Sequence, residues 1–164
     1  MIAFDLDGTL VDSRLDLLNS VNVLRASAGE SALNFETSWQ DLCKGMPHLY
    51  ASCFPVQMQD DPELAHDFES IYLEHIFETT TVYDGLSTVI ATLAKQASLA
   101  VVTNKPQRPT EKLLEAAGLL SYFDVIVGGD RCEEPKPSAV PLVFARDYVS
   151  SITFKQVILN LDYI

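Results

Sequence analysis

The sequence has few cysteines and lacks a long apolar run. Cys43, Cys53 and Cys132 are odd in number and show no CxxC spacing. We therefore expect reduced, buried thiols, and neither a disulfide scaffold nor a zinc site. No apolar stretch approaches the roughly 20 residues that a helix needs to cross a bilayer, and no charged segment precedes an apolar one as in a signal peptide. These absences predict a soluble, cytoplasmic protein.

Positive charge is also scarce. The 164 residues include 11 Lys and Arg against 23 Asp and Glu, which gives a formal net charge of −12. Such a chain repels nucleic acids and anionic membranes, so neither is expected as a partner. Any phosphate site must reverse the sign of the charge locally, with a metal, a lysine or backbone N–H groups. The length and the hydrophobic content of 48% suit one compact domain with a small insertion.

Continuous apolar strands alternate with helical segments along most of the chain. Buried strands are predicted at the N terminus and at 99–104, 124–130 and 156–162, with helices between them and one over about 137–149. This alternation indicates a parallel sheet covered on both faces. Residues 13–81 show helical periodicity and no convincing strand. The predicted fold is α/β: a Rossmann-like parallel-sheet core (1–12 and 82–164) with a small α-helical cap (13–81) inserted after the first strand.

The first buried strand ends in two aspartates. Asp5 and Asp7 are followed by Gly8, and residues two apart in an extended segment project to the same side. Two carboxylates brought together there repel one another and lose hydration, which is costly unless a cation or a shared proton compensates. An Asx-type turn would account for one aspartate but poorly for two. Gly8 permits a tight turn and a close approach to a ligand.

Polar residues follow the other predicted strands. Thr103 and Asn104 end the second, Lys136 lies between two prolines after the third, and Asp162 ends the last. Ligands of parallel sheets bind beyond the carboxyl ends of the strands, so these side chains are expected to meet Asp5. Each has an ordinary alternative: a Ser/Thr turn for Thr103, and a solvated charge for Lys136 and Asp162.

Together these stretches resemble the motifs of the haloacid dehalogenase-like superfamily. The resemblance rests on FDLDGTLVDS at 4–13, VVTNKP at 101–106 and GGD…KP over 128–137. It implies phosphomonoester hydrolysis with Asp5 as the nucleophile and Asp7 as the general acid and base. The dehalogenase branch lacks the second aspartate, so Asp7 favours phosphate chemistry. The likeness is strongest to the phosphoglycolate phosphatases, which implies a small phosphorylated metabolite such as 2-phosphoglycolate as the partner.

The resemblance also assigns the groups that hold the phosphoryl oxygens. The hydroxyl of Thr103 and the backbone amide of Asn104 would bind these oxygens, with Gly8 close by. Lys136 would pair with Asp5 and with the transferring phosphoryl group, where it shields their mutual repulsion.

The implied cofactor is Mg²⁺, and the helical insert corresponds to the family's cap. Asp5, the backbone carbonyl of Asp7 and Asp162 would be the metal ligands. Two basic residues, Arg14 and Lys44, are candidates for gripping a substrate carboxylate from the cap side. Exposed helix charges are the competing interpretation for both.

The fourth motif departs from the family pattern. Leu161 replaces the expected glycine, and the second acid would fall beyond Ile164, so the chain looks truncated relative to the family. The alternative is therefore an inactive relative that at most binds phosphate or a protein partner. A mutase or phosphonatase fits less well, because Thr103-Asn104-Lys105 is phosphatase-like and no cap lysine is clearly placed for a Schiff base. The oligomeric state stays open.

Overall fold

A three-stranded parallel sheet lies at the centre of the structure. This computed structural model describes residues 1–42 and 45–161, without side chains at 39–40 and 153–161. In chain order its elements are β1 (Ile2–Phe4), β2 (Val11–Asp12), α1 (Arg14–Ser27), α2 (Phe35–Leu42), α3 (Met46–Cys53), α4 (Val56–Gln59), α5 (Leu64–Glu74), β3 (Thr81–Val82), α6 (Leu86–Leu93), β4 (Leu99–Val102), α7 (Gln107–Ala116), a 3-10 turn (Leu120–Tyr122), β5 (Val125–Val127) and α8 (Val140–Leu161).

The strand order is β1-β4-β5, and both pairings are parallel. All four residues of the central strand β4 are buried. Leu99 and Val101 pack in one cluster with Leu113 of α7, whereas Ala100 and Val102 pack in another with Ala145 of α8. Successive residues of a strand point to opposite faces, so one apolar run serves two helical layers. The predicted α/β class is confirmed.

The helices between β2 and β3 have a hydrophobic core of their own. Its buried members all come from residues 17–72. Phe68 and Tyr72, one turn apart on α5, stack with ring centroids 6.2 Å apart. An antiparallel pair, β2 and β3, lies where the chain leaves the sheet and returns, with Val11 opposite Val82. The division into a core (1–12, 82–164) and a cap (13–81) stays a prediction, which this clustering supports.

The carboxylate of Asp16 ties the start of the helical segment to its end. Asp16 is 1% exposed and accepts hydrogen bonds from the backbone amides of Thr79 (2.8 Å) and Thr80 (3.0 Å) and from both of their hydroxyls. Burial acts to raise the pKa of Asp16, but these hydrogen bonds outweigh it and hold the pKa below its ordinary value. The carboxylate is thus stabilised in its charged form.

The predicted strand at 156–162 is wrong over its described part, because α8 continues to Leu161. β-branched residues in this stretch favour a strand. However, no glycine or proline follows Pro141 to end the helix, and Pro141 itself lies in the first turn, where a missing N–H is tolerated. The sequence also missed β2, β3 and α4, which are only two to four residues long.

The described residues bear on membrane-spanning helices and on the state of the cysteines. None of the helices described is long and apolar enough to cross a membrane. Cys53 and Cys132 are free thiols, and Cys53 is buried as expected, whereas Cys132 is only half-buried. Cys43 lies outside the described residues.

We predict that Asp16→Asn lowers the free energy of unfolding by at least about 3 kcal/mol near neutral pH, because buried N–H and O–H donors lose their charged acceptor. Urea unfolding of both proteins measures the difference. Since the folded pKa of Asp16 lies below its ordinary value of 3.8, this stabilisation is present above that pH and is lost as the pH falls through the folded pKa. The gap between the two proteins should therefore narrow below pH 3.8.

The matched control is Asp60→Asn, which changes an exposed aspartate of the same helical segment. We expect its effect to stay within about 0.5 kcal/mol. Equal effects of the two substitutions would contradict the role assigned to Asp16.

Candidate active site

A cavity of about 110 Å³ lies beyond the carboxyl ends of the strands. Asp5 directly follows β1 and Thr103 directly follows β4, and the parallel register brings these strand ends to one edge of the sheet. The helical segment closes the other side of the cavity. The lining residues are Asp5, Asp7, Leu17, Leu42, Gly45, Met46, Thr103, Asn104, Lys105 and Lys136.

The ammonium group of Lys136 contacts the carboxylate of Asp5. Lys136 Nζ lies 2.9 Å from Asp5 Oδ1, and the two side chains are 26% and 44% exposed. The same carboxylate oxygen accepts the backbone N–H of Leu6 at 2.8 Å. Asp5 is therefore oriented by two donors and still reaches solvent, as a group that meets an incoming ligand must.

Asn104 fixes the loop that carries Lys136. Its side-chain Nδ2 donates to the carbonyl of Lys136 at 3.0 Å, and its Oδ1 accepts the amide of Lys136 at 2.9 Å. One amide side chain thus satisfies both backbone groups of the lysine. The sequence pointed only to the backbone amide of Asn104, so this clamp was missed.

Gly128 and Gly129 allow the loop after β5 to come close to the loop after β4. A Cβ atom on Gly128 would lie 2.4 Å from the backbone nitrogen of Gln107, and one on Gly129 would lie 2.5 Å from the carbonyl oxygen of Asn104. Only glycine fits at such distances. The glycine-rich exit of the third predicted strand therefore has a steric cause.

Thr103 lies at the bottom of the cavity and is 4% exposed. Its backbone amide donates to the carbonyl of Val127 at 3.0 Å, which continues the sheet by one residue. Its hydroxyl oxygen accepts the amide of Lys105 at 3.2 Å, which leaves the O–H available as a donor. The structure thus brings Thr103, Lys136 and Asp5 to one cavity, as the sequence predicted.

Asp7 is held by a lysine that the sequence analysis left without a role. Lys105 Nζ lies 3.3 Å from both carboxylate oxygens of Asp7, and the Ser13 hydroxyl also donates to Oδ1. Lys105 is 6% exposed. Burial acts to lower its pKa, but the adjacent charge of Asp7 outweighs it and holds the pKa above its ordinary value. The signal was the lysine in VVTNKP, beside two residues that were given roles.

Gly8 and Arg14, two further predicted site residues, are not among the residues that line the cavity. Gly8 has a left-handed φ of 79° and makes the expected turn, but its amide donates to the carbonyl of Val11 at 2.8 Å. Arg14 forms a 2.6 Å ion pair with Asp12 rather than lining the cavity. The hydrogen bond from Arg14 is the main reason why the pKa of Asp12 is lowered. Substrate binding by Gly8 and Arg14 stays a prediction, and these contacts compete with it.

Two predicted residues, Lys44 and Asp162, lie outside the described part of the chain. Asp5 and Asp7 offer only oxygen donors at the end of β1, and oxygen is what Mg²⁺ prefers. Within 1–42 and 45–161, no three His, Cys, Asp or Glu side chains come together as a metal site. The donors present thus fit magnesium in kind, and the predicted third carboxylate is the undescribed Asp162.

Comparison with known proteins identifies a family that this chain matches. The haloacid dehalogenase-like hydrolase model matches residues 2–156. Phosphoglycolate phosphatase of Chromobacterium violaceum is 38% identical over 149 residues, 87% of this chain and 67% of that protein. The plasmid-encoded phosphoglycolate phosphatase of Cupriavidus necator is 33% identical over 86% of this chain and 63% of its own length. The chain therefore spans about two thirds or less of the curated relatives that it matches.

Solved structures show the same fold. A predicted phosphoglycolate phosphatase from Haemophilus somnus superposes with a TM-score of 0.79 at 26% identity, covering 88% of this chain and 68% of that one. CbbY from Rhodobacter sphaeroides, solved in complex with phosphate, superposes with a TM-score of 0.76 at 23% identity, covering 91% and 72%.

We predict that Asn104→Ala accelerates hydrogen exchange of the Lys136 amide about fivefold, because that N–H loses its acceptor and a hydrogen bond contributes about 1 kcal/mol. Amide exchange followed by NMR measures it. The matched control is Asn22, whose side chain clamps both backbone groups of Leu33 in the same way, at 3.1 and 2.7 Å. Asn22→Ala should accelerate exchange at Leu33 and not at Lys136. Identical exchange at Lys136 in both variants would contradict the clamp.

Proposed function

The chain belongs to the haloacid dehalogenase-like hydrolases, and from this we propose that it is a phosphatase: a Mg²⁺-dependent phosphomonoester hydrolase with an aspartyl-phosphate intermediate. The carrying observation is the 2.9 Å contact of Lys136 with Asp5 in a cavity that Thr103 also lines. The named phosphoglycolate phosphatases among the relatives make a small metabolite such as 2-phosphoglycolate the proposed substrate.

Charge is the main obstacle to this reaction. A phosphate monoester is an anion, and it must approach the carboxylate of Asp5 in a chain whose formal net charge is −12. Lys136 offsets part of the repulsion directly, because its ammonium lies 2.9 Å from Asp5. The hydroxyl of Thr103 and the backbone amide of Asn104 would supply uncharged donors to the phosphoryl oxygens. Mg²⁺, held by Asp5 and the carbonyl of Asp7, would add positive charge against the phosphoryl group when bound.

The proposed reaction has two steps. A carboxylate oxygen of Asp5 attacks phosphorus, the bond from phosphorus to the ester oxygen breaks, and Asp7 gives its proton to the leaving alcohol. Water then attacks the phosphorus of the aspartyl phosphate. Its proton goes to Asp7, and the bond from phosphorus to Asp5 breaks, which releases inorganic phosphate and restores both carboxyl groups.

The helical segment would limit access of water and select the substrate. Leu17, Leu42 and Met46 line the cavity from that side, where apolar groups exclude water and strengthen electrostatic contacts. Such a lid suits a small substrate, because the cavity between lid and strand ends has a volume of about 110 Å³.

A protein that binds phosphate without turning it over is the second candidate. It is favoured by one observation: among the described residues, the expected cation has carboxylates only from Asp5 and Asp7 in the cavity lining. Phosphate could still contact Lys136 and Thr103 there.

We predict that the unchanged protein hydrolyses p-nitrophenyl phosphate and 2-phosphoglycolate with Mg²⁺, and that chelation by EDTA abolishes both activities. Asp5→Asn should lower kcat at least about 1,000-fold, because an amide cannot serve as the nucleophile. Released phosphate is the measurement.

Asp84→Asn, at an exposed position after β3, is the control and should keep full activity. Turnover that survives Asp5→Asn would refute the proposed mechanism. Binding of inorganic phosphate without any turnover would favour the second candidate.

A further inference from the structure

The buried ammonium of Lys105 bridges the strand edge and the helical segment. It contacts both carboxylate oxygens of Asp7 at 3.3 Å and lies 4.4 Å from the ring centroid of Tyr72. Tyr72 belongs to α5 and is itself 1% exposed. A lysine that is 6% exposed loses most of its hydration, so this arrangement is costly unless both partners compensate.

The backbone of Lys105 is anchored on both sides. Its amide donates to the hydroxyl oxygen of Thr103 at 3.2 Å. Its carbonyl accepts the amide of Gly129 at 2.9 Å and the hydroxyl of Thr110 at 3.3 Å. The backbone of Lys105 is therefore fixed to the same edge of the sheet as Asp5. This limits how far the ammonium group can follow the carboxylate of Asp7 if that carboxylate moves.

The two oxygens of Asp7 receive unequal numbers of donors. Oδ1 accepts from Lys105 and from the Ser13 hydroxyl, whereas Oδ2 accepts from one side chain of the described residues, that of Lys105. Oδ2 thus keeps more lone-pair capacity for a proton in transit.

We propose that Lys105 is a positioning residue for the proton transfers of Asp7. Its contact with Tyr72 couples the position of Asp7 to the packing of α5 against the edge of the sheet. This inference rests on the proposed phosphatase function. A purely structural role would be met by an apolar side chain, which avoids burying a charge. The contact with an acidic group in the cavity is what an apolar side chain could not provide.

The two steps of the reaction depend on Asp7 to different degrees. A p-nitrophenolate ion leaves phosphorus without a proton, so formation of the aspartyl phosphate from p-nitrophenyl phosphate needs little help from Asp7. Loss of an alkoxide from an alkyl phosphate needs a proton from Asp7, and the attack of water needs Asp7 as the base that accepts the proton of the water. A misplaced Asp7 should therefore spare formation of the aspartyl phosphate from p-nitrophenyl phosphate. It should slow formation of this intermediate from an alkyl phosphate, and it should slow hydrolysis of the intermediate.

The test is rapid-mixing kinetics of Lys105→Met with Mg²⁺ present. With p-nitrophenyl phosphate we expect a burst of about one p-nitrophenolate per folded enzyme at nearly the rate of the unchanged protein, followed by steady turnover reduced about 100-fold. With glycerol phosphate we expect the reduction without a burst, and KM for both substrates within about threefold of the original. Because the burst counts competent enzyme, partial unfolding cannot mimic this pattern.

Lys112→Met is the matched control, since Lys112 is an exposed lysine paired with Glu115 on α7. It should behave as the unchanged protein does. Tyr72→Leu provides a second variant if Lys105→Met does not fold, and it should show the same pattern with a smaller reduction of about three- to tenfold, set by the lost cation–π contact.

Three other outcomes would overturn the proposal. If the burst rate and the steady rate fall together, Lys105 acts on the nucleophilic step. If Lys105→Met behaves like Lys112→Met, Lys105 has no part in the reaction. If the unchanged protein hydrolyses no phosphomonoester, the proposed function fails and this inference fails with it, which separates that case from the first two.

Discussion

The contact between the ammonium of Lys136 and the carboxylate of Asp5 is the interaction on which the site depends. In an acidic chain, an unpaired carboxylate at the end of a buried strand would repel any phosphate ester. A cation 2.9 Å away offsets this repulsion, and Asp5 stays partly exposed, as a group that meets a substrate must be. A second lysine, Lys105, lies beside Asp7. Each carboxylate of the Asp5–Asp7 pair thus has its own ammonium group.

The backbones of both lysines are held by loops at the edge of the sheet. Asn104 clamps the backbone of Lys136, and the amide of Gly129 donates to the carbonyl of Lys105. Glycines at 128 and 129 are needed because any Cβ there would collide with the neighbouring loop. The parallel register therefore does more than form a core: it brings three loops to one edge, and their backbones hold one another in place. The helical segment contributes apolar walls and the ring of Tyr72.

The sequence predicted the α/β class, the opening aspartates and the convergence of Asp5, Thr103 and Lys136, because apolar runs and strand ends are local signals. It missed the Asn104 clamp and the Lys105 contact, because each joins residues about 32 or 98 positions apart that no local pattern relates. The strand expected at 156–161 is helical. The β-branched residues favour a strand only weakly, and no glycine or proline after Pro141 ends the preceding helix. Lys44 and Asp162 lie outside the described residues, so their roles remain predictions.

Chemical trapping of the proposed aspartyl phosphate tests the account most directly. The protein is mixed with a phosphomonoester and Mg²⁺, quenched and treated with borohydride, which reduces an acyl phosphate to an alcohol. Peptide mass spectrometry then locates the product. The account predicts homoserine at position 5 and unchanged Asp7. Homoserine at another position, or continued turnover without any at position 5, would contradict it.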